Sequence, residues 1–136
     1  MAACMYIVVQ GDDPGYDIFV NGRFLARNED ALEQLALRLG VRPLIEFFSA
    51  DENSMALLIE EGAGSADLLR RLPPPQWYPA SEGLETVNAL LDALRGEPQQ
   101  LGSDGTRVLA ELEDYHRVLT KTACHGLRWH LAVSFR

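Results

Sequence analysis

Cysteine is scarce in this sequence, with Cys4 and Cys124 the only two among 136 residues. Small secreted domains stabilised by disulfides usually carry several pairs, so two cysteines exclude a disulfide framework and predict reduced thiols. The first residues also lack the basic and apolar regions of a secretory signal. We therefore expect a cytoplasmic protein.

Long apolar runs and basic charge are also lacking. No run approaches the roughly 20 apolar residues of a membrane-spanning helix, so we expect no membrane association. Lys and Arg number 12 against 20 Asp and Glu, and the densest basic stretch is Arg70-Arg71. Because nucleic-acid binders usually present a basic stripe, we expect no nucleic-acid partner. The net charge of −8 instead favours a basic protein partner.

Motifs of nucleotide-binding and nucleophilic sites are missing too. The sequence contains no P-loop, no G-x-G-x-x-G and no G-x-S-x-G segment. It also has no H-x-x-x-H or C-x-x-C pair that would predict a zinc site. Cys124 lies at the C-terminal end of a predicted helix, where the helix dipole disfavours a thiolate. We therefore expect no cofactor and no metal ion, and we identify no catalytic residue.

The clearest pattern that is present predicts a helix over residues 106–124. Large apolar residues recur there at steps of four and three, which is one face of a 3.6-residue period. This apolar face comprises Val108, Leu112, Tyr115 and Leu119. Glu111, Asp114 and Lys121 are predicted to point away from it. Gly126 is placed to end the helix in a left-handed conformation.

The next segment, 127–135, alternates between apolar and more polar residues, as expected for a half-buried strand. Its apolar side comprises Leu127, Trp129, Leu131, Val133 and Phe135, and its other side comprises Arg128, His130, Ala132 and Ser134. We expect one side to pack on helices and the other to meet water or a ligand. His130 is then an exposed sheet histidine, and the alternative is a pocket residue that titrates near neutral pH.

An N-terminal β-hairpin is predicted from turn residues. A strand over 5–9 and a turn lead to a second strand over 16–20. Asn21-Gly22 follows, the pair best suited to a type I′ turn, because both central positions of that turn need positive φ. The returning strand covers 23–27.

Helices are predicted in the middle of the chain, over 28–40, 54–61, 65–71 and 81–96. Asn28 is a natural N-cap and Gly40 a natural C-terminal stop for the first of them. Segment 43–49 is ambiguous between a short helix and a buried strand. The sequence thus predicts a single α+β domain, 1–136. Its small, mainly antiparallel sheet, built from the N-terminal β-hairpin and the C-terminal strand, is covered by several helices.

Two groups of residues are candidate binding sites. Trp77 and Tyr78 follow three prolines, and aromatic side chains on a rigid segment are typical of interface hot spots. The alternative is that both rings cover the core. The second group comprises Asp12, Asp13, Tyr16, His116 and His130. These residue types perform acid–base chemistry if they meet in space, although solvated turn carboxylates are the alternative for the two aspartates.

The run 77–87 reads W-Y-P-A-S-E-G-L-E-T-V, and 125–133 reads H-G-L-R-W-H-L-A-V. These segments resemble small bacterial proteins of uncharacterised families with a W-[FY]-x-x-x-x-G-L-x-T-V motif, and the ending is loosely similar to the YfbM/DUF1877 type. The resemblance covers mostly residues 77–136. It implies a bacterial cytosolic origin and no established catalytic residues, so no site residue is transferred.

The sequence therefore favours a non-enzymatic interaction module, of immunity or regulatory type, whose acidic surface binds a basic partner. The alternative is a small-ligand binder or enzyme with an Asp/His pocket. A homodimer through an unpaired sheet edge or the Trp77 surface is compatible with the sequence.

Overall fold

The computed structural model describes residues 4–11, 15–49 and 76–134. In chain order, the elements are strand β1 (Cys4–Val9), helices α1 (Arg23–Arg27) and α2 (Glu29–Leu39), 3-10 helix η1 (Leu44–Phe47), strand β2 (Tyr78–Pro79), helix α3 (Ala80–Gly96), 3-10 helix η2 (Pro98–Asp104), helix α4 (Gly105–Cys124) and strand β3 (Arg128–Ser134). The predicted α+β class is confirmed. The predicted helices over 54–61 and 65–71 lie outside the described residues.

Within the described residues, the sheet has three strands in the order β1-β3-β2, and both pairings are antiparallel. Ile7 lies opposite Leu131 and Val9 opposite Trp129, so these four side chains share one face of the sheet. All four are buried. Because β3 lies at the centre, it pairs with both the N-terminal strand β1 and the short edge strand β2.

Helices α3 and α4 pack together and against the apolar face of the sheet. The buried side of α4 carries the predicted apolar residues Val108, Leu112, Tyr115 and Leu119. The hydroxyl of Tyr115 donates a hydrogen bond to the carbonyl of Met5, which fixes α4 to β1. Gly83 lets α3 approach the sheet closely, because a Cβ there would lie 2.4 Å from Cζ2 of Trp129. None of the described helices has the length and apolar character needed to cross a membrane.

The predicted N-terminal β-hairpin is wrong. Residues 16–20 form no strand, and 23–27 is helix α1 rather than a returning strand. Gly22 has φ −111° and so does not adopt the type I′ geometry. Its lack of a side chain serves another purpose, because a Cβ at Gly22 would lie 1.7 Å from the carbonyl oxygen of Met5. Local turn propensity is thus overridden by a tertiary contact.

The first turn of helix α1 is capped by the carboxylate of Glu111. The sequence predicted this side chain to point away from the apolar face of its own helix. Glu111 on α4 is only 6% exposed. Its two carboxylate oxygens accept hydrogen bonds from the backbone amides of Phe24, at 3.2 Å, and Leu25, at 2.9 Å. These amides lie in the first turn of α1, where backbone N–H groups have no partner within the helix. Glu111 therefore acts as an N-terminal cap supplied by another helix.

The ambiguous segment 43–49 forms a short helix rather than a buried strand. Leu44–Phe47 is the 3-10 helix η1. Phe48 then forms an isolated parallel bridge with Leu131, and the amide of Ser49 donates a hydrogen bond to the carbonyl of Leu131 at 3.0 Å. This segment therefore lies beside β3 on the same edge as β2.

The sequence predicted the C-terminal ends of the helices more accurately than their N-terminal caps. Gly40 and Gly126 have φ of 75° and 67°, as the predicted left-handed stops require. Asn28 and Asp104 occupy N-cap positions without capping through their side chains. Instead, the side-chain amide nitrogen Nδ2 of Asn28 donates hydrogen bonds to the carbonyl of Phe24 at 2.9 Å and to the Asp104 carboxylate at 3.0 Å. The side chains of Asn28 and Asp104 thus tie the end of α1 to the start of α4.

Candidate functional site

Trp77 and Tyr78 lie on opposite sides of the sheet at its β2 edge. Tyr78 pairs with Trp129 of β3 and packs edge-on against Phe47, with ring centroids 5.4 Å apart. Trp77 instead packs on the ring of His130, with centroids 4.3 Å apart. Both aromatic side chains are half-buried. Each ring therefore has one side anchored on the protein and part of its surface left accessible.

Arg42, which lies between α2 and η1, completes this group of side chains. Its guanidinium lies over the rings of Phe47 and Tyr78, 4.7 and 4.8 Å from their centroids. Such cation–π contacts contribute roughly 0.5–1 kcal/mol each at exposed sites. We call Arg42, Phe47, Phe48, Trp77 and Tyr78 the edge aromatic cluster.

Arg42 is held in this position from two further directions. It forms an ion pair with Glu82 of α3 at 3.7 Å, and its Nη2 donates a hydrogen bond to the carbonyl of Glu46 at 3.3 Å. The hydroxyl of Thr86, one turn further along α3, donates to the Arg42 carbonyl. The loop before η1 is therefore fixed to α3, and Tyr78 is fixed with it.

His130 is 1% exposed, so its interpretation as an exposed sheet histidine is wrong. It lies opposite Val8 of β1 on one side, and Trp77 covers it on the other. Its Nδ1 lies 3.1 Å from the carbonyl oxygen of Gln76. Because a carbonyl only accepts hydrogen bonds, this contact places a proton on Nδ1.

The exposed part of the edge aromatic cluster combines apolar and acidic groups. Phe48 is 38% exposed. Glu46, two residues before Phe48, and Glu82, the ion-pair partner of Arg42, are both exposed. Among the described residues, Glu46 has no ion-pair partner, whereas Glu82 is already paired with Arg42. The exposed groups near β2 and η1 are thus both aromatic and acidic.

The second predicted group does not share one set of neighbours in the described part of the chain. The ring of Tyr16 stacks on His125 at 5.0 Å, and its hydroxyl lies 2.6 Å from that of Thr122. Thr122 donates its single hydroxyl proton to the carbonyl of Val118, so Tyr16 is the donor in this bond. His130 lies instead against Trp77. Asp12 and Asp13 lie outside the described residues.

His116 is half-buried on α4, three residues after Glu113. This E-x-x-H spacing occurs in some metal sites on helices. Here, however, the Glu113 carboxylate forms an ion pair with Arg95 of α3 at 3.9 Å. The ion pair of Glu113 with Arg95 therefore contributes to the contact between α3 and α4.

Glu29, Asp30 and Glu33 are the carboxylates of the described residues that could together hold a metal ion, with ligand atoms within 4.8 Å of one another. Burial raises the pKa of Glu29, and its contacts with Asp30 and Glu33 raise this pKa further. The nearby cleft, which Met5 and Leu44 help to line, has a volume of about 10 Å³, roughly the space of one water molecule. Glu29 and Asp30 lie in the first turn of α2, where acidic side chains interact favourably with the helix dipole, and Glu33 lies one turn later.

Sequence reasoning missed Arg42 and the role of Phe47 and Phe48. The available signal was the apolar pair Phe47-Phe48 after Pro43, but periodicity over so short a segment does not specify a partner.

Comparisons of the chain with protein-family models, curated proteins and solved structures give no match. The resemblance to YfbM/DUF1877-type proteins therefore stays a prediction.

Proposed function

We propose that this protein is a non-enzymatic interaction module of the bacterial cytoplasm, of immunity or regulatory type, which binds a basic protein partner through the edge aromatic cluster. The observation that carries the proposal is the arrangement of Trp77 and Tyr78. Both rings are fixed on one side by His130 and Phe47 and remain partly accessible on the other.

Preorganisation supports the proposal. Immobilising a flexible side chain on binding costs roughly 0.5–1.5 kcal/mol. The hydroxyl of Tyr78 donates a hydrogen bond to Gln76 at 2.9 Å, and Arg42 lies over its ring. A partner that contacts this surface thus meets aromatic rings already held in one orientation.

Charge indicates the chemistry of the partner. The chain carries a net charge of −8, which steers a basic protein towards it. Glu46, two residues before Phe48 in the chain, is exposed and has no ion-pair partner among the described residues, so a Lys or Arg of the partner gains a carboxylate there. The Arg42 charge is offset by Glu82 and does not oppose such a contact.

Site-specific photo-crosslinking in cells that naturally contain the protein tests the proposal. A photoreactive phenylalanine analogue is placed at position 48, and in a control protein at position 37. Leu37 on α2 is 58% exposed and lies outside the edge aromatic cluster. We expect a basic protein to be crosslinked from position 48 but not from position 37. Capture of the same proteins from both positions, or none from position 48, contradicts the proposal.

Binding of the captured protein is then measured with purified variants. Phe48→Ser removes an exposed aromatic ring, Glu46→Lys reverses the free charge, and Leu37→Ser is the matched control. We expect the first two to weaken binding at least about tenfold, as hot-spot substitutions do, and the control to bind normally. Equal affinities for all three variants contradict the proposed surface.

A further inference from the structure

Ile7 and Val9 of β1 turn buried backbone groups towards the edge of the sheet that faces away from β3. In continuation of the β1–β3 register, the amide of Gln10 donates to the carbonyl of Arg128, so the even-numbered residues of β1 bond to β3. The odd-numbered residues therefore point their N–H and C=O groups to the other edge. Ile7 and Val9 are 2% and 5% exposed, and among the described residues no hydrogen bond reaches these groups. Because buried backbone groups are nearly always paired, these groups need a partner.

Met5, the first odd-numbered residue of β1, indicates where that partner lies. Its amide donates a hydrogen bond to the carbonyl of Gly22 at 3.2 Å. Its carbonyl accepts the hydroxyl of Tyr115. Both backbone groups of Met5 are thus satisfied at this edge, one of them by the segment that ends at Gly22.

We call residues 16–22 the strap, and its two ends show that it runs in the direction opposite to β1. Tyr16 is anchored at the C-terminal end of α4 through the hydroxyl of Thr122. The carbonyl of Thr122 accepts the amide of Leu127, just before β3 begins. The start of β3 lies opposite the end of β1. The strap therefore runs from the end of β1 back to its beginning, where Gly22 bonds to the strand.

The strap has the alternation of a strand. Apart from its first residue it contains no bend or turn, and the inward Ile18 and Val20 lie between exposed neighbours. Arg117 of α4 donates to the carbonyls of Asp17 and Phe19, each at 3.2 Å. Because successive carbonyls of an extended chain point in opposite directions, those of Ile18 and Val20 point away from Arg117. Among the described residues, neither of these two carbonyls accepts a hydrogen bond.

We propose that the strap closes onto β1 as an additional antiparallel strand. The bond of Gly22 to β1 sets the register, which places Val20 opposite Ile7 and Ile18 opposite Val9. Each of these pairs exchanges N–H and C=O bonds, so the buried groups of β1 all gain partners. Closure also removes an open sheet edge, the usual site of unwanted pairing with other chains. This inference does not depend on the proposed function.

Solution NMR of the full chain tests the closure. In a closed strap, Val8 and Phe19 form a non-hydrogen-bonded pair with close Hα atoms, so we expect a strong nuclear Overhauser effect between them. The amides of Ile7 and Val9 should exchange with solvent about as slowly as that of Val8, which bonds to β3. Absence of the Hα–Hα effect overturns the proposal, and buried water would then be the partner of these amides. Exchange of Ile7 and Val9 at least about a hundredfold faster than that of Val8 also overturns it.

Arg117→Gln tests what holds the strap in place. Arg117 binds two strap carbonyls, so we expect the amides of Ile7 and Val9 to exchange at least about tenfold faster in this variant, and that of Val8 to change less. Lys121→Gln, at an exposed position of the same helix, is the matched control and should leave all three rates unchanged. Equal acceleration of all three amides in Arg117→Gln, or the same acceleration in Lys121→Gln, would indicate a loss of global stability and overturns the proposal.

Discussion

Oε1 of Glu111 accepts a hydrogen bond from the backbone amide of Leu25 at 2.9 Å, although the two residues are 86 positions apart in the chain. The same carboxylate accepts the amide of Phe24. One side chain therefore decides that residues 23–27 begin as a helix.

Replacing Glu111 with alanine should lower the free energy of unfolding by about 2 kcal/mol, because it leaves backbone amides of α1 without a partner, one of them in a buried residue. Glu113→Ala is the matched control, since Glu113 is exposed on the same helix and forms a surface ion pair. That control should cost less than about 0.5 kcal/mol. Urea unfolding measures both, and equal losses would assign the effect to helix propensity.

Glu111→Gln should change how stability depends on pH. Burial raises the pKa of Glu111 above its ordinary value of 4.5, and the amides of Leu25 and Phe24 only partly oppose this. The folded chain then holds this proton at pH values where the unfolded chain has lost it. Stability from this group is therefore lost as pH rises from 4.5 through the raised pKa. The free-energy difference between wild type and Glu111→Gln should fall across this range, and a constant difference would contradict the prediction.

Tyr115→Phe should act at alkaline pH. Burial raises the pKa of Tyr115 well above 10.0, so the folded chain keeps this proton after the unfolded chain releases it. The contribution of Tyr115 to stability therefore decreases as pH rises above 10.0. The variant should lose about 1 kcal/mol at neutral pH, where the carbonyl of Met5 loses its donor. Its unfolding free energy should then change less than that of the wild type under alkaline conditions.

Two glycines of α3 should respond in opposite directions to alanine. Gly83→Ala places a methyl group against Trp129, and overpacking of this kind costs roughly 1–3 kcal/mol. Gly96→Ala meets nothing within 4 Å and should be neutral or stabilise the helix by up to about 1 kcal/mol. Thermal unfolding compares them. Similar melting temperatures for the two variants would show that α3 moves freely away from the sheet.

Trp77→Ala should make His130 reactive towards diethyl pyrocarbonate. In the wild type, the exposed His125 should be modified readily and the buried His130 should not. Removing the indole ring uncovers one face of the His130 imidazole. Mass spectrometry of digested protein gives the modification at each histidine. Unchanged protection of His130 would mean that other groups are sufficient to bury it.

Periodicity in the sequence predicted α4 and β3, the elements that pack against a broad apolar surface. The stripe of α4 and the alternation of β3 each need only a broad apolar surface opposite them, so pattern alone located both. Residues 23–27 differ, because the deciding carboxylate of Glu111 comes from a distant helix and leaves no local signal. The alternation placed His130 on the correct side of its strand, but its burial involves Trp77, from the segment just before β2. The edge aromatic cluster likewise depends on Arg42, which contacts Tyr78 although the two residues are far apart in the sequence.

The position of β3 at the centre of the sheet also bears on the order of assembly during synthesis. Both neighbouring strands precede it in the chain, and they are joined through it rather than to each other. The bond from Tyr115 to Met5 spans 110 residues, and that from Tyr16 to Thr122 spans 106. Contacts of such sequence separation slow folding. Among the described strands, β1 therefore gains its partner only after Arg128–Ser134 has been synthesised, and chaperones have that interval in which to bind it.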